Sequence, residues 1–571
     1  MILQALKEYY DRKAADPDSG IAPVGWEKKE IPFIIIIDRD GNIVQIEDTR
    51  EGEGKKMRAR SFIVPQGVKK TSGIAANLLW DVASYIFGTD RKGNPERALQ
   101  QKTAFFNKII THFKEADDIK PVIKFLENIT VEQMQKFDNW NEIIEKDPIL
   151  TFRYTGETEL ICHKEAVKKI INNNNNTGNS DAVCLVTGKN DKIAILHSAI
   201  KGVYGAQSAG ANIVSFNLSA FQSFNKIQGH NAPIGEESAF AYTTALNTLL
   251  ARDSVQRMLI GDASTVFWSA KETEFENDFS CFFSEPPKDD PDRATRKIRS
   301  LYNSINNGTF YNDYSAIKFY VLGLSPNAAR IAIRFWQTGT IAEFAEKIKT
   351  HFDDLAIIKP AKEPQYYSVW RLLVNIAQQD KSENIPPNIA GDFIRAILSG
   401  TPYPVTLLQT ALRRIHSDVN SRVNPVRASL IKAYLNRHYR IHINPNHKEI
   451  QMSLDTSQPS KGYQLGRLFA TLEKIQEEAN PGLNTTIRER YYGSACASPV
   501  TVFSNLLRLK NHHLAKIGKE GRVVFFERLL GEIISNLQEF PPHLDLHEQG
   551  RFAVGYYHQR QDFFTKKESN N

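Results

Sequence analysis

The 571-residue chain is 41% hydrophobic and 24% charged, an ordinary globular composition with room for roughly two to four domains that each bury a core. Its 72 Lys and Arg against 65 Asp and Glu give a net charge of +7 and a pI near 8.9; this permits contact with nucleic acid and equally describes a solvated basic surface. Cys162, Cys184, Cys281 and Cys496 are scattered without a CxxC pair, which argues against a disulfide framework or zinc ribbon and fits a reducing cytoplasm; no signal peptide is evident, and the run around Ile34–Ile37 is too short to span a bilayer.

In chain order, 1–13 has the apolar spacing of a helix, with Ile2, Leu3 and Leu6 on one face. Residues 31–37 read as a buried strand, and Asp40-Gly41 turns the chain into a second strand at 43–46. That turn explains Asp38 and Asp40 without a metal. Residues 58–72 are basic, with Arg58, Arg60, Lys69 and Lys70. A helix is predicted over 75–87, capped by Thr71 or Ser72, so that its first amides and the two lysines would clamp a phosphate. Residues 92–120 read as polar helix. Cys162-His163 lacks second-site ligands and reads as structural. The asparagine run at 172–176 predicts a flexible insertion reaching residue 179.

A strand pair is predicted at 183–187 and 192–196. The stretch 200–250 then concentrates unusual local chemistry. Gly202, Gly205 and Gly210 imply sharp turns or close backbone approach. Gln207, Ser208, Asn212, Ser215, Asn217, Gln222, Asn225, Gln228 and Asn231 supply neutral hydrogen-bonding groups. Lys201 and Lys226 are its only formal charges before Glu236. Such a surface suits a polar polymer better than an oily pocket. The glycine spacing at 205–210 is that of a P-loop, but Ala211 and Asn212 stand where Lys and Ser or Thr are required, so nucleotide hydrolysis is not indicated. His197 and His230 flank the stretch without a nucleophile signature nearby. Residues 238–250 return to helical spacing, with Phe240, Ala241, Leu246 and Leu249 facing a core.

Short strands follow at 258–260 and 265–268, then a charged, proline-broken excursion at 272–299. A second strand pair spans 317–322 and 330–335. Alternation there sets Arg330 and Arg334 on one face, suited either to a nucleic-acid backbone or to a wet sheet face. Beyond Lys359-Pro360 the pattern is helical: 370–378, 389–398, 405–414 and 426–437. Arg413, Arg414, Arg427, Lys432, Arg437 and Arg440 make this connector basic, and Asn444-Pro445-Asn446 breaks it. Helices at 463–477, 500–517, 523–537 and 548–564 predict a small bundle, with Arg467, Arg488, Arg490, Arg508, Lys510 and Lys516 on its surface. The fold class expected is α+β. A mixed region with short antiparallel strand pairs and helices spans 1–355, a helical connector 361–443, and a C-terminal helical bundle 452–571.

Several long segments carry a family resemblance: MILQALKEYYDR, VPQGVKKTSGIAANLLWDVASYIFG, CLVTG at 184–188, IKGVYGAQSAGANIVSFN, NAPIGEESAFAYTTALN, VLGLSPNAARIAIRFW, IPPNIAGDFIRAILSGTPYP and LLQTALRRIHSD. Together they run from residue 1 past residue 410. The chain resembles the large subunit of the type I-C CRISPR surveillance complex, a Cascade-type effector. The resemblance implies a non-catalytic ribonucleoprotein subunit that holds the crRNA 5′ end and reads the protospacer-adjacent motif in target double-stranded DNA. It implies help in unwinding and R-loop formation, and a surface for a recruited helicase-nuclease. In such systems base pairing carries sequence specificity while protein reads the short motif and the backbone. The resemblance also implies partnership with the backbone and crRNA-processing subunits, and a location near the DNA entry point for the N-terminal region.

The DNA-contacting residues expected are Lys69, Lys70, Thr71, Ser72, Asn77, Lys201, Gln207, Ser208, Lys226 and Asn231. Arg488, Arg490, Arg508 and Lys510 are expected to hold the displaced strand. No catalytic residue, metal, cofactor or membrane contact is expected. A metal-dependent nuclease, which would need clustered ligands, and a purely structural scaffold are the alternatives. Relatives of such subunits can release a small helical subunit by internal translation. Met452, one of only five methionines, lies at the start of the bundle, after Lys448-Glu449, whose AAR-GAR codons can spell a purine-rich ribosome-binding sequence such as AAGGAG.

Overall fold

The computed structural model describes residues 1–54, 57–68, 73–90, 93–175, 180–261, 263–287, 289–290, 292–306, 316–418, 422–442 and 448–565. They divide into two compact units, one of residues 1–200 and 214–248, the other of 201–213 and 249–571. The chain therefore passes between units three times. The expected joints at 355–361 and 443–452 both fall inside the second unit.

The first unit is built on a four-stranded sheet in the order Ile43–Asp48, Phe33–Ile37, Ile149–Tyr154, Trp80–Val82. Ile34, Ile35 and Ile37 are fully buried, as a central strand of β-branched residues should be. Its pairing with Ile43–Asp48 is antiparallel through the Asp40-Gly41 turn. Asp38 closes that turn by accepting from the amides of Asp40 and Asn42 at 2.9 and 2.8 Å, so its carboxylate is occupied as a turn residue. The pairing with Ile149–Tyr154 is parallel, an arrangement that strand pairs close in sequence could not announce. Helices Pro95–Phe113 and Lys120–Asn128 send Phe105, Ile109, Val122 and Phe125 into this core.

Two local expectations are corrected here. No helix spans 75–82. Leu79 takes a positive φ, Trp80–Val82 pairs with Ile149–Tyr154, and the helix begins only at Ala83 after the uncapped Val82. Burial of Leu78, Leu79 and Trp80 outweighs their helical spacing. The asparagine run continues helix Glu165–Asn175, anchored by buried Val167 and Ile171, as far as Asn175, and residues 176–179 of the expected insertion lie outside the described residues. The strand pair expected across 183–196 is only a two-residue ladder, Ala182–Val183 with Asn190–Asp191.

The second unit holds an antiparallel meander, Arg257–Ile260, Ala263–Ser269, Lys318–Asn327 and Arg330–Thr340. The register skips Arg334 between Ile333 and Phe335, so a bulge breaks the alternation that would set Arg330 and Arg334 on one face. The 272–299 excursion is not fully exposed: Phe275, Phe279, Phe282 and Phe283 enter the core against Phe267 and Phe319. That core runs on without interruption through helices Ile341–Leu355, Val369–Ile376, Pro387–Ser399, Val405–Ser417 and Pro425–Ile441. It ends among Lys461–Ala479, Ile487–Ala497, Pro499–Leu514, Glu520–Ser535 and Leu546–Phe564. The sequence reading missed Ile341–Leu355 and Ile487–Ala497, both opened by complete capping boxes at Thr340/Glu343 and Thr486/Glu489.

Lys461–Ala479 and Leu546–Phe564 form the closest helix pair of the bundle. Glycine permits it: a Cβ on Gly466 would collide with the Phe552 carbonyl, and one on Gly555 with the Tyr463 carbonyl. Gly531, on an exposed helix face, has nothing within 4 Å of such a Cβ. Gly466→Ala is therefore expected to destabilise the chain by about 1–3 kcal/mol through overpacking. Gly531→Ala should stabilise it by about 0.5–1 kcal/mol through helix propensity. Thermal unfolding of both variants checks the pair; equal melting shifts would contradict the packing described.

Candidate nucleic-acid interface

Residues 192–235 contain no Asp or Glu. This acid-free run is divided between the units, and each part is organised by its own unit. In the second unit, the strip 201–213 is fastened to the meander. Tyr204 N–H donates to Ser264 Oγ at 2.8 Å, and Ile331 N–H donates to the Asn212 carbonyl at 3.0 Å. Gly202 has φ +84° and lies so near Leu250 that a Cβ would sit 2.7 Å from its carbonyl oxygen. Two tight turns close between these anchors, Ala206 N–H to Val203 O at 3.1 Å and Gly210 N–H to Gln207 O at 2.9 Å. They lift Gln207 and Ser208 into solvent, and Lys201 is exposed as well.

In the first unit, 217–228 is exposed throughout. Its base is fixed by Asn231, whose Oδ1 accepts from Ser223 N–H at 2.9 Å. Its Nδ2 donates to the carbonyls of Lys226 and Gln228, each at 3.0 Å. Gly229 packs so tightly on Ala194 and Ile195 that a side chain there would strike the Ala194 carbonyl. Lys226 is exposed on this loop, beside Asn225. Asn231 itself spends both polar atoms inside the loop.

The other expected contacts are distributed unevenly. Lys69, Lys70, Thr71 and Ser72 lie outside the described residues. Asn77 is 5% exposed; its Oδ1 accepts from Val68 N–H at 3.0 Å and its own N–H donates to Asp81, so it braces the loop entrance. In the bundle, Arg490 and Arg508 are exposed. Arg488 pairs with Glu489 at 3.0 Å, and Lys510 with Glu527 at 2.8 Å. Arg467, expected on the surface, is fully buried, donating to Gln559, Gln464 and Glu532. Arg427, Lys432 and Arg437 of the connector are buried too. The apolar loop residues Leu218, Phe224 and Ile227 were not anticipated. Together with Phe221 they recur at every third residue inside a polar, acid-free segment, and that is the signal that marks them.

His197 is buried, its Nδ1 2.5 Å from the Tyr242 hydroxyl, and His230 sits in a short 3-10 turn. Cys184 is buried at the start of helix Glu236–Leu249. Burial raises its thiol pKa, but hydrogen bonding with Gly235 N–H, Ser238 and Thr187 outweighs this and brings it down to about 7. Among the described residues, no group of three or more His, Cys, Asp or Glu is arranged to hold a metal. Nor is any described helix long and apolar enough to cross a membrane.

The match to a family model, not the geometry, defines the class: the chain is a CRISPR-associated protein. The family model described as CRISPR-associated protein (Cas_Csd1) matches residues 6–564. The chain belongs to that family, the large subunits of the type I-C Cascade. No curated protein matches it.

Asn231→Ala removes three hydrogen bonds from an exposed loop without touching either core. Exchange of the Ser223 amide should accelerate about fivefold, as loss of roughly 1 kcal/mol of local protection for its one hydrogen bond implies, with little change in global melting. Unchanged exchange at Ser223 would show that Asn231 does not hold the loop.

Proposed function

We propose that the chain is the non-catalytic subunit that reads the protospacer-adjacent motif in duplex DNA and assists opening of the target. It would hold the crRNA 5′ end, contact the backbone and crRNA-processing subunits, and present a surface to the recruited helicase-nuclease in the cytoplasm. The observation that carries this reading is the acid-free run 192–235, with exposed Gln207, Ser208, Lys201 and Lys226 on rigid turns. Neutral amides and hydroxyls match base edges in the minor groove, where acceptors dominate, and lysines match phosphates. Glycine backbone lets the protein approach a groove closely. Lys69 and Lys70, followed by Thr71 and Ser72, remain the proposed phosphate contacts of the N-terminal region.

The test uses the assembled complex on duplexes with the correct and altered motifs. Lys69→Ala with Lys70→Ala should weaken binding about equally on both and reduce the slope of log K against log salt by about one per lysine. Gln207→Ala or Ser208→Ala should instead change the ratio between the motifs, by about 1–3 kcal/mol if a base contact is lost. Normal binding by both sets, or magnesium-dependent cleavage by the isolated chain, would overturn the reading.

We also propose that 452–571 is made as a separate small subunit from Met452, which is 58% exposed. Two buried charges of this segment, Arg467 and Glu473, find partners within it, whereas Arg551 lies over the Tyr439 ring of the connector. Arg467 is satisfied as above, and Glu473 accepts from Tyr556 at 2.6 Å and Thr486 at 2.8 Å. Released copies would offer Arg490 and Arg508 to the displaced strand, with Arg488 and Lys510 joining once freed from their acidic partners. Expression with a C-terminal tag should give a second band corresponding to 452–571. That band should vanish when Met452 is recoded to a non-initiating codon, and a single full-length band from the unaltered gene would refute it.

A further inference from the structure

The loop 217–228 of the first unit is unusual in what it shows to water. Phe224 is 93% exposed, Ile227 62% and Leu218 54%, although the chain has two large cores to bury such groups in. Burying one side chain of this kind is worth about 1.5–3 kcal/mol. The exposure is enforced by the backbone. Phe224, Asn225 and Gln228 have φ of 50°, 56° and 44°, a left-handed conformation that costs a residue with a Cβ roughly 1–2 kcal/mol. The hydrogen bonds of Asn231 hold it, with Lys226 N–H closing on the Ser223 carbonyl at 2.9 Å. A phenylalanine is thus presented edge and face to solvent at the tip of a braced turn.

The surroundings choose the occupant. The loop and its flanks from 192 to 235 hold no acidic residue, and the charge next to Phe224 is Lys226, followed by Gln228. A polyanion approaches such a tip without repulsion, and an aromatic face offers it base stacking, which needs no particular sequence. Apolar side chains that enter between base steps do so from this kind of setting, flanked by Lys, Asn and Gln. An apolar protein partner would find four side chains, Leu218, Phe221, Phe224 and Ile227, interrupted by Ser219, Gln222, Ser223 and Asn225.

We infer that Phe224 stacks on a nucleobase left unpaired where the target duplex opens, with Leu218 and Ile227 flanking it and Lys226 on the adjoining phosphate. This rests on the DNA-reading function proposed above and deepens it by assigning the group that meets the unstacked base. Asn231 acts here as a positioning residue and makes no base contact.

The experiment uses the assembled complex on motif-bearing duplex DNA. A photo-crosslinking phenylalanine analogue at position 224 should join to DNA at one or two nucleotides beside the motif. Phe224→Ala should lower affinity about tenfold, within the range reported for a single stacked base, and leave the salt slope unchanged. Phe224→Trp should restore it. Lys226→Ala should reduce the salt slope by about one. Crosslinking to another subunit, loss of a subunit from the Phe224→Ala complex, or unaltered affinity with no crosslink each overturns the inference. If the unsubstituted complex binds DNA without regard to the motif, the motif-reading function fails, whereas motif-dependent binding with an inert Phe224 removes this inference alone.

Discussion

A guanidinium withdrawn from water must be given acceptors for its donors, and the second unit is arranged around that demand. Arg427 is wholly buried and donates to the carbonyls of Asn375 and Arg422 and to the carboxylates of Asp418 and Asp380. Arg437 donates to the carbonyls of Thr401 and Ala396 and to the Tyr403 hydroxyl, which in turn meets His351 at 2.7 Å. Arg467 ties Lys461–Ala479 to both Glu520–Ser535 and Leu546–Phe564. An unpaired buried charge is far costlier than a missing apolar contact. Each arginine therefore allows the helices around it little freedom to choose another neighbour, and the cost extends to the carbonyls it satisfies. Apolar burial supplies the driving force; these side chains restrict which helix lies beside which.

That arrangement changes the meaning of the chain's basic composition. Much of the positive charge in the connector and bundle is structural, held inside or neutralised by Asp418, Asp354, Glu532, Glu527 and Glu489. A net charge of +7 therefore does not describe a uniform basic coat. The segment 192–235, proposed to meet DNA, is distinguished by the absence of acids, with only a few lysines among its amides and hydroxyls. Such a surface gives up long-range attraction and favours short-range reading, in which polar groups meet complementary edges after other contacts have brought the partner near.

The fold class and most helices of the C-terminal half were legible because amphipathic spacing there is long and regular, as in 405–417 and 461–479. The Asp40-Gly41 hairpin and the 318–340 hairpin were legible from turn chemistry. What failed were segments where tertiary burial overrode spacing. Leu78-Leu79-Trp80 looks helical but completes a sheet whose partner strand lies some seventy residues away, a distance no local pattern reports. Arg467 looked like a surface residue because two of its acceptors, Glu532 and Gln559, are remote in sequence. At the candidate interface, the sequence singled out the stretch 200–250 for its glycines and amides. It could not tell that Asn231 spends its amide on its own loop or that Asn77 is buried.

The order in which the chain leaves the ribosome adds a consequence to the threefold passage between units. The strip 201–213 emerges before 214–248, yet its hydrogen-bonding partners Ser264 and Ile331 are translated later. The first unit has all its residues once 248 has cleared the exit tunnel, while the strip must wait for a sheet that does not yet exist. Waiting in water selects small and polar residues, and Lys201-Gly-Val-Tyr-Gly-Ala-Gln-Ser-Ala-Gly-Ala-Asn-Ile213 has few side chains that would collapse prematurely. The composition from which a ligand contact is proposed for the strip also equips it to remain soluble at the beginning.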